Sequence, residues 1–142
     1  MATVITFGTF DLFHLGHLRM LQRAAKLGDR LLVGVSTDQL NFAKKQCYPV
    51  FPQEDRVEIV AAIRCVDEVF LEESLELKRQ YVIQYRADIL VMGDDWAGRF
   101  DFLKDICEVR YLPRTPGVSS TDLRSGLRPA YGRSDTDIAV AV

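Results

Sequence analysis

The sequence predicts a doubly wound α/β domain. Two observations carry that prediction. Short apolar runs alternate along the chain with longer amphipathic stretches, which reads as strand–helix–strand repetition. Two of the runs, Leu31-Leu32-Val33-Gly34-Val35 and Asp88-Ile89-Leu90-Val91-Met92, are nearly continuously apolar, as suits strands covered on both faces of a parallel sheet. A chain of 142 residues is one domain at this composition. Right-handed crossovers follow, and in such folds ligands sit at the carboxyl ends of the strands.

Val4-Ile5-Thr6-Phe7 is a strand that stops at Gly8. After the polar loop Thr9-Phe10-Asp11, His14 and His17 begin a helix whose stripe Leu18, Leu21 and Ala25 leads to Gly28, a natural C-cap. Leu31 to Val35 is the second strand. Thr37-Asp38 can cap a short helix, and residues 43–52, with Lys44, Lys45 and two prolines, read as a loop. Pro52-Gln53-Glu54-Asp55 suits a first helical turn, with acids at the positive end of the dipole. Val57, Ile59, Val60, Ala61 and Ile63 give that helix a broad apolar face. Glu68 to Leu71 is a short strand, Leu75 to Tyr85 a charged amphipathic helix, and Asp88 to Met92 a buried strand ending at Gly93. Phe100 to Ile106 reads as a short helix, Val109 to Leu112 as the last strand and Ser119 to Leu127 as the last helix. The domain is thus 1–127. Residues 128–142, RPAYGRSDTDIAVAV, read as a C-terminal tail; the alternative is that Ile138 to Val142 packs as an added strand or across a dimer.

Composition excludes several classes. With 48% apolar and 27% charged residues the chain can bury a real core. A net charge of -2 argues against a nucleic-acid-coating surface. No run approaches the roughly 18 apolar residues of a membrane span, and no charged-then-apolar leader precedes the first strand. Cys47, Cys65 and Cys107 are widely spaced with no CxxC, so a zinc site is not expected. Cys65 and Cys107 read as core thiols. A cytoplasmic location is expected.

Three constellations carry chemistry. In the first, Gly8 ends a strand and His14-Leu15-Gly16-His17 opens a helix, so backbone N–H groups and the helix dipole favour an anion there. The i,i+3 spacing puts both imidazoles on one face, and Gly16 leaves room for a ligand beside the backbone. The second, Arg114-Thr115-Pro116-Gly117-Val118-Ser119-Ser120-Thr121, follows the last strand and opens the last helix. Its arginine is a fork for phosphate oxygens, and its hydroxyls and amides lie at a helix start; simple N-capping explains one serine but not the Arg-Thr-Pro-Gly before it. Two anion sites suggest an extended anion such as a nucleoside triphosphate, although no GxxxxGK[ST] or GxGxxG occurs. The third, Met92-Gly93-Asp94-Asp95-Trp96, leaves a buried strand. Its carboxylates can bind a ribose hydroxyl, a metal or another cation and its tryptophan can cover a base, unless the segment is only a capped turn. Lys44, Arg56, Arg64 and Lys78, taken singly, read as surface cations.

Together these motifs, with the following Phe100-Asp101-Phe102-Leu103-Lys104, resemble the cytidylyltransferase family of the HxGH nucleotidyltransferase superfamily, from about Thr3 to Leu127. The resemblance implies a Rossmann-like homodimeric enzyme with a five-stranded parallel sheet. It implies transfer of a cytidylyl group from CTP to sn-glycerol 3-phosphate, giving CDP-glycerol and pyrophosphate for teichoic acid or a related polymer, with a divalent cation, usually Mg2+. It implies catalytic roles for His14, His17 and Arg114, and CTP contacts from Thr9, Phe10, Asp11, Gly16, Arg64, Gly93, Asp94, Trp96, Thr115, Gly117, Ser119, Ser120 and Thr121. Lys44, Arg56 and Lys78 would bind the acceptor, and Mg2+ would be held mainly by the nucleotide's phosphates, with Asp11 a possible ligand. The family often has Lys-x-Lys where this chain has Lys44-Lys45-Gln46, so the second lysine's role passes to Lys45 or is lost. Two other readings stay open: the same chemistry on another nucleotide and phosphorylated alcohol or sugar, and a silent nucleotide-binding module.

Overall fold

The computed structural model describes residues 1–114. Five strands, β1 (Thr3–Gly8), β2 (Arg30–Ser36), β3 (Glu68–Glu72), β4 (Ile89–Gly93) and β5 (Glu108–Leu112), form one sheet in the order β3-β2-β1-β4-β5. Every pairing is parallel. Helices α1 (Leu15–Ala25), α2 (Asp38–Lys45), α3 (Gln53–Ala61) and α4 (Lys78–Gln84) connect them. The chain winds outward from β1 to β3, then returns to add β4 on the other side of β1. The topological switch therefore lies between β1 and β4, where their carboxyl ends open a crevice.

Alternation along the strands builds two cores. Val4, Leu31, Val33, Val35 and Val91 face α1 and α3, where Leu21, Ala24 and Val60 cover them. Ile5, Phe7, Leu32, Leu90 and Met92 point to the opposite face, under Val82 of α4, Phe100 and Leu103. At the amino edge, aspartates before three strands tie neighbours together: Asp29 accepts from the Ala2 amide, Asp67 from that of Leu31 and Asp88 from that of Thr3.

Gly34 is the point where the second core admits no side chain. A Cβ there would lie 2.5 Å from Cδ1 of Phe7 and 2.9 Å from Cε2 of Phe70. Those rings pack edge to face, with centroids 5.7 Å apart, so a methyl at residue 34 has to displace one of them. Gly34→Ala is expected to destabilise the fold by about 2 kcal/mol through overpacking, as read by urea unfolding; an unchanged midpoint would show that the rings yield.

The structure revises several sequence-based element limits. The helix expected to end before residue 43 continues to Lys45, because Lys44 and Lys45 favour the negative end of the dipole and Gln46 closes it in the left-handed region, at φ 60. Gly28 is not the cap of α1, which is Lys26. Gly28 instead allows close approach to Ala2, whose carbonyl oxygen would be 2.6 Å from an added Cβ. The helix expected over 75–85 splits into a 3-10 turn, Leu75–Leu77, capped by the Ser74 hydroxyl, and then α4. The one expected over 100–106 is a single 3-10 turn, Asp101–Leu103. Tyr111 pins that turn, its hydroxyl accepting from the Phe100 amide and donating to Asp101. Cys65 and Cys107 are half-buried, not fully enclosed, and Cys47 is exposed.

Candidate functional site

The loop leaving β1 at the switch point is held in an unusual backbone. Phe10 and Leu12 both lie in the left-handed region, at φ 55 and φ 50. Such residues persist where their surroundings over-determine them, and here the surroundings are visible. The Phe10 ring is buried against Phe13 and His17, with centroids 6.4 Å and 5.4 Å away. Its side chain is therefore core, a support beneath His17, where the resemblance implied a nucleotide contact. Asp11 is 1% exposed, and its carboxylate accepts from the amides of Leu12, Val50 and Phe51. Both oxygens bind backbone amides. This donor set fits a clamp between two loops and does not fit the metal ligand considered for Asp11. Among the described residues, no group of three or more His, Cys, Asp and Glu is arranged to hold a metal ion.

The two histidines form a reciprocal cap at the head of α1. His14 is the N-cap, with extended backbone, and its Nδ1 accepts from the Gly16 amide at 3.0 Å. His17 Nδ1 in turn accepts from the His14 amide at 3.2 Å. The rings stack with centroids 3.8 Å apart. A neutral imidazole that accepts at one nitrogen carries its proton on the other. The cap thus assigns both rings the Nε2–H tautomer and leaves two donors on the edges away from the backbone.

Both rings are held neutral. Burial and then the nearby Arg114 guanidinium push His14 below the ordinary value, and burial followed by His14 pushes His17 down to about 3, against a smaller opposing pull from Asp11. Between about pH 3 and pH 6.5 the unfolded chain binds a proton at residue 17 that the folded chain refuses. Stability is full above that window and falls as pH drops through it, by about 1.4 kcal/mol per pH unit from this group. Thermal melts at stepped pH should show a shallower acid slope for His17→Asn than for the parent chain; equal slopes would contradict the assignment.

Arg56 braces the same region from below. It is 0% exposed, and its guanidinium donates to the carbonyls of Phe51, Thr9 and Ser36 and to Asp38 Oδ1, the last at 2.8 Å. It is a strut between three loops at the carboxyl edge, not the surface cation it reads as when taken singly, and its donors are turned to the protein, not toward the acceptor contact the resemblance implied. Asn41, which sequence reasoning passed over, completes the brace. Its amide donates to the carbonyls of Ser36 and Thr37, and its Oδ1 accepts from the Thr9 hydroxyl at 2.7 Å.

The lysines divide. Lys78 is 1% exposed, paired with Glu72 at 2.7 Å, with its ammonium 3.9 Å from the Phe7 ring centre and 4.7 Å from that of Phe100. Lys44, on the last turn of α2, is half-buried and makes no salt bridge among the described residues. Lys45 beside it is exposed. Arg64 is exposed in the turn between α3 and β3, at the amino end of the sheet. Within one chain it stands at the opposite end of the sheet from the histidines.

On the other side of the crevice, β4 ends at Gly93, and Asp94–Trp96 form a 3-10 turn. Trp96 is half-buried on Phe100, and the Arg99 guanidinium lies 5.4 Å from its ring. Asp94 and Asp95 are exposed. Beyond β5, Arg23 of α1 donates to the Pro113 carbonyl at 2.7 Å, which ties the start of the arginine loop to the histidine helix. Arg114 follows, close enough to His14 to shift its titration. Thr115, Gly117, Ser119, Ser120 and Thr121, the last helix and the tail lie outside the described residues. The structure therefore brings Thr9, His14, Gly16, His17, Gly93 and Arg114 around one crevice.

The chain is 53% identical over 125 residues to the glycerol-3-phosphate cytidylyltransferase of Bacillus subtilis, an alignment that takes in 87% of this chain and 95% of that one. It is 46% identical over 134 residues to the enzyme of that name from Staphylococcus aureus, covering 94% and 98%. Among solved structures, the lipopolysaccharide core biosynthesis protein of Thermoplasma volcanium superposes with a TM-score of 0.69 at 27% identity, over 81% of this chain and 97% of that one. Residues 5–126 match the family model described as cytidylyltransferase-like. With its histidine cap, its switch-point crevice and these relatives, the chain belongs to the cytidylyltransferase-like family.

Proposed function

We infer that this chain is a nucleotidyltransferase that transfers a cytidylyl group from CTP to sn-glycerol 3-phosphate, giving CDP-glycerol and pyrophosphate. The observation that carries the chemistry is the reciprocal histidine cap, which presents two neutral Nε2–H donors beside Arg114. The choice of substrates is supported by the names of the relatives.

In this reading a phosphate oxygen of the acceptor attacks the α-phosphorus of CTP in line. One P–O bond forms and the bond to the β-phosphate bridging oxygen breaks, its electron pair leaving with pyrophosphate. The attacking phosphate is already an anion, so no general base is needed, and the protein's task is positioning and charge stabilisation. His14 and His17 donate to phosphate oxygens as charge builds, and Arg114 stabilises the departing pyrophosphate. Being neutral, the imidazoles donate without a proton having to leave or return. Gly93, Asp94 and Trp96 face the nucleoside, and Lys44 the acceptor's phosphate. A magnesium ion is proposed to enter with CTP on the nucleotide's own phosphates, where it would neutralise charge. We further propose a homodimer, a cytoplasmic location and a product used for teichoic acid or a related polymer; no helix among the described residues is long and apolar enough to cross a membrane.

Pyrophosphate release from a grid of nucleotides and phosphorylated alcohols tests the reading. CTP with glycerol 3-phosphate should give the highest kcat/KM. A different best pair would move the substrate, and no release with any pair would favour a silent module.

A further inference from the structure

Glu72 is a buried titratable group with no part in the chemistry above. It ends β3 at the carboxyl edge, opposite Ser36 in the β2 register. It is 1% exposed, its Oε1 accepts from the Ser36 hydroxyl at 3.1 Å and its Oε2 lies 2.7 Å from the Lys78 ammonium. Its backbone carbonyl accepts from the amide of Thr37, the N-cap of α2, so the residue is fastened to the helix that carries Lys44.

The pairing of charges around it is selective. Arg56 has Asp38 as its carboxylate partner and Lys78 has Glu72. Lys44 is the half-buried cation of this cluster with no bridging carboxylate among the described residues. A cation held partly out of water without a fixed partner is suited to an incoming anion.

We propose that Glu72 is a positioning residue of the acceptor site: fixed by Ser36 and neutralising Lys78, it keeps the Lys44 charge over the carboxyl edge for the acceptor's phosphate. This rests on the reading of Lys44 as a cation that meets that phosphate. The electrostatics agree. Burial pulls the Lys44 ammonium below its ordinary value, Glu72 opposes that pull, and Lys45, Lys78 and Arg56 add to it. Lys78 is likewise lowered by burial and restored in part by Glu72. These are the charged groups that face Lys44 from its own helix and from α3, β3 and α4. Without the carboxylate the lysines lose their protons at lower pH.

The test is steady-state kinetics of Glu72→Gln, Glu72→Asp and Lys44→Met on the full chain, each checked for folding by circular dichroism. Glu72→Gln should raise KM for glycerol 3-phosphate several-fold at alkaline pH, where the lysines begin to lose their protons, and leave KM for CTP within about twofold. Its alkaline limb of kcat/KM should move to lower pH, and Glu72→Asp should bring the limb back toward the parent. An unchanged acceptor KM and limb in folded Glu72→Gln would overturn the proposal. If Glu72→Gln fails to fold, Ser36→Ala carries the test: the acceptor KM should rise by a few fold at constant KM for CTP, and no change would overturn it. Lys44→Met with an unchanged acceptor KM would instead overturn the underlying reading of the acceptor site, so the two failures are distinguishable.

Discussion

Replacing His17 with asparagine should lower kcat by about 10²–10³-fold, or ~3 kcal/mol of transition-state stabilisation, while the protein still folds. The reason is the division of labour between the ring nitrogens. Asparagine Oδ1 can take the place of Nδ1 and accept from the His14 amide, which preserves the cap, but asparagine has no donor in the place of Nε2. His17→Ala loses both functions, so it should show the same fall in kcat and an added loss of stability of about 1 kcal/mol from the missing cap. Measuring kcat and the unfolding midpoint of both variants separates catalysis from capping. Near-normal turnover in His17→Asn would remove the imidazole from the mechanism.

Arg56→Met should be the most destabilising single change at the site. Methionine fills a similar volume, but it leaves the Asp38 carboxylate without its ion-pair partner and removes the donor from three carbonyls. Asp38 is partly exposed and water can take up its charge, so the main cost is the three carbonyls left without a donor, about 3 kcal/mol in all, which lowers Tm by about 10 °C in a domain of this size. Activity should fall as well, because the same guanidinium holds the Thr9 carbonyl at the mouth of the crevice. Scanning calorimetry with parallel kinetics checks both effects. A stable Arg56→Met that lost only affinity for the acceptor would restore the direct substrate role that the burial of Arg56 argues against.

These two residues mark how far the sequence could be read. The histidine site was legible because its determinants are local. A strand stopped by Gly8, the i,i+3 spacing of His14 and His17, and a helix start all lie within a single short stretch. The strands were legible for the same reason, since apolar runs such as Leu31 to Val35 declare burial on both faces. The role of Arg56 was not legible. Its partners Thr9, Ser36, Phe51 and Asp38 come from separate segments, and an arginine looks alike in sequence whether it reaches a ligand or braces a loop. Lys78 and Glu72 were hidden in the same way, their pairing invisible until β3 and α4 enclose it beside Phe7 and Phe100.

By itself, then, the sequence determined a parallel α/β domain with a histidine-lined anion site after β1, because periodicity, capping and glycine turns act over a few residues. Only the tertiary structure decided which cations stand free and which are consumed within the protein, placing Arg64 at the far end of the sheet and leaving Lys44 half-buried at the near one. The physical reason is that a charge's availability depends on its desolvation and on the carboxylate that packing brings within reach, and neither is a local property of the chain.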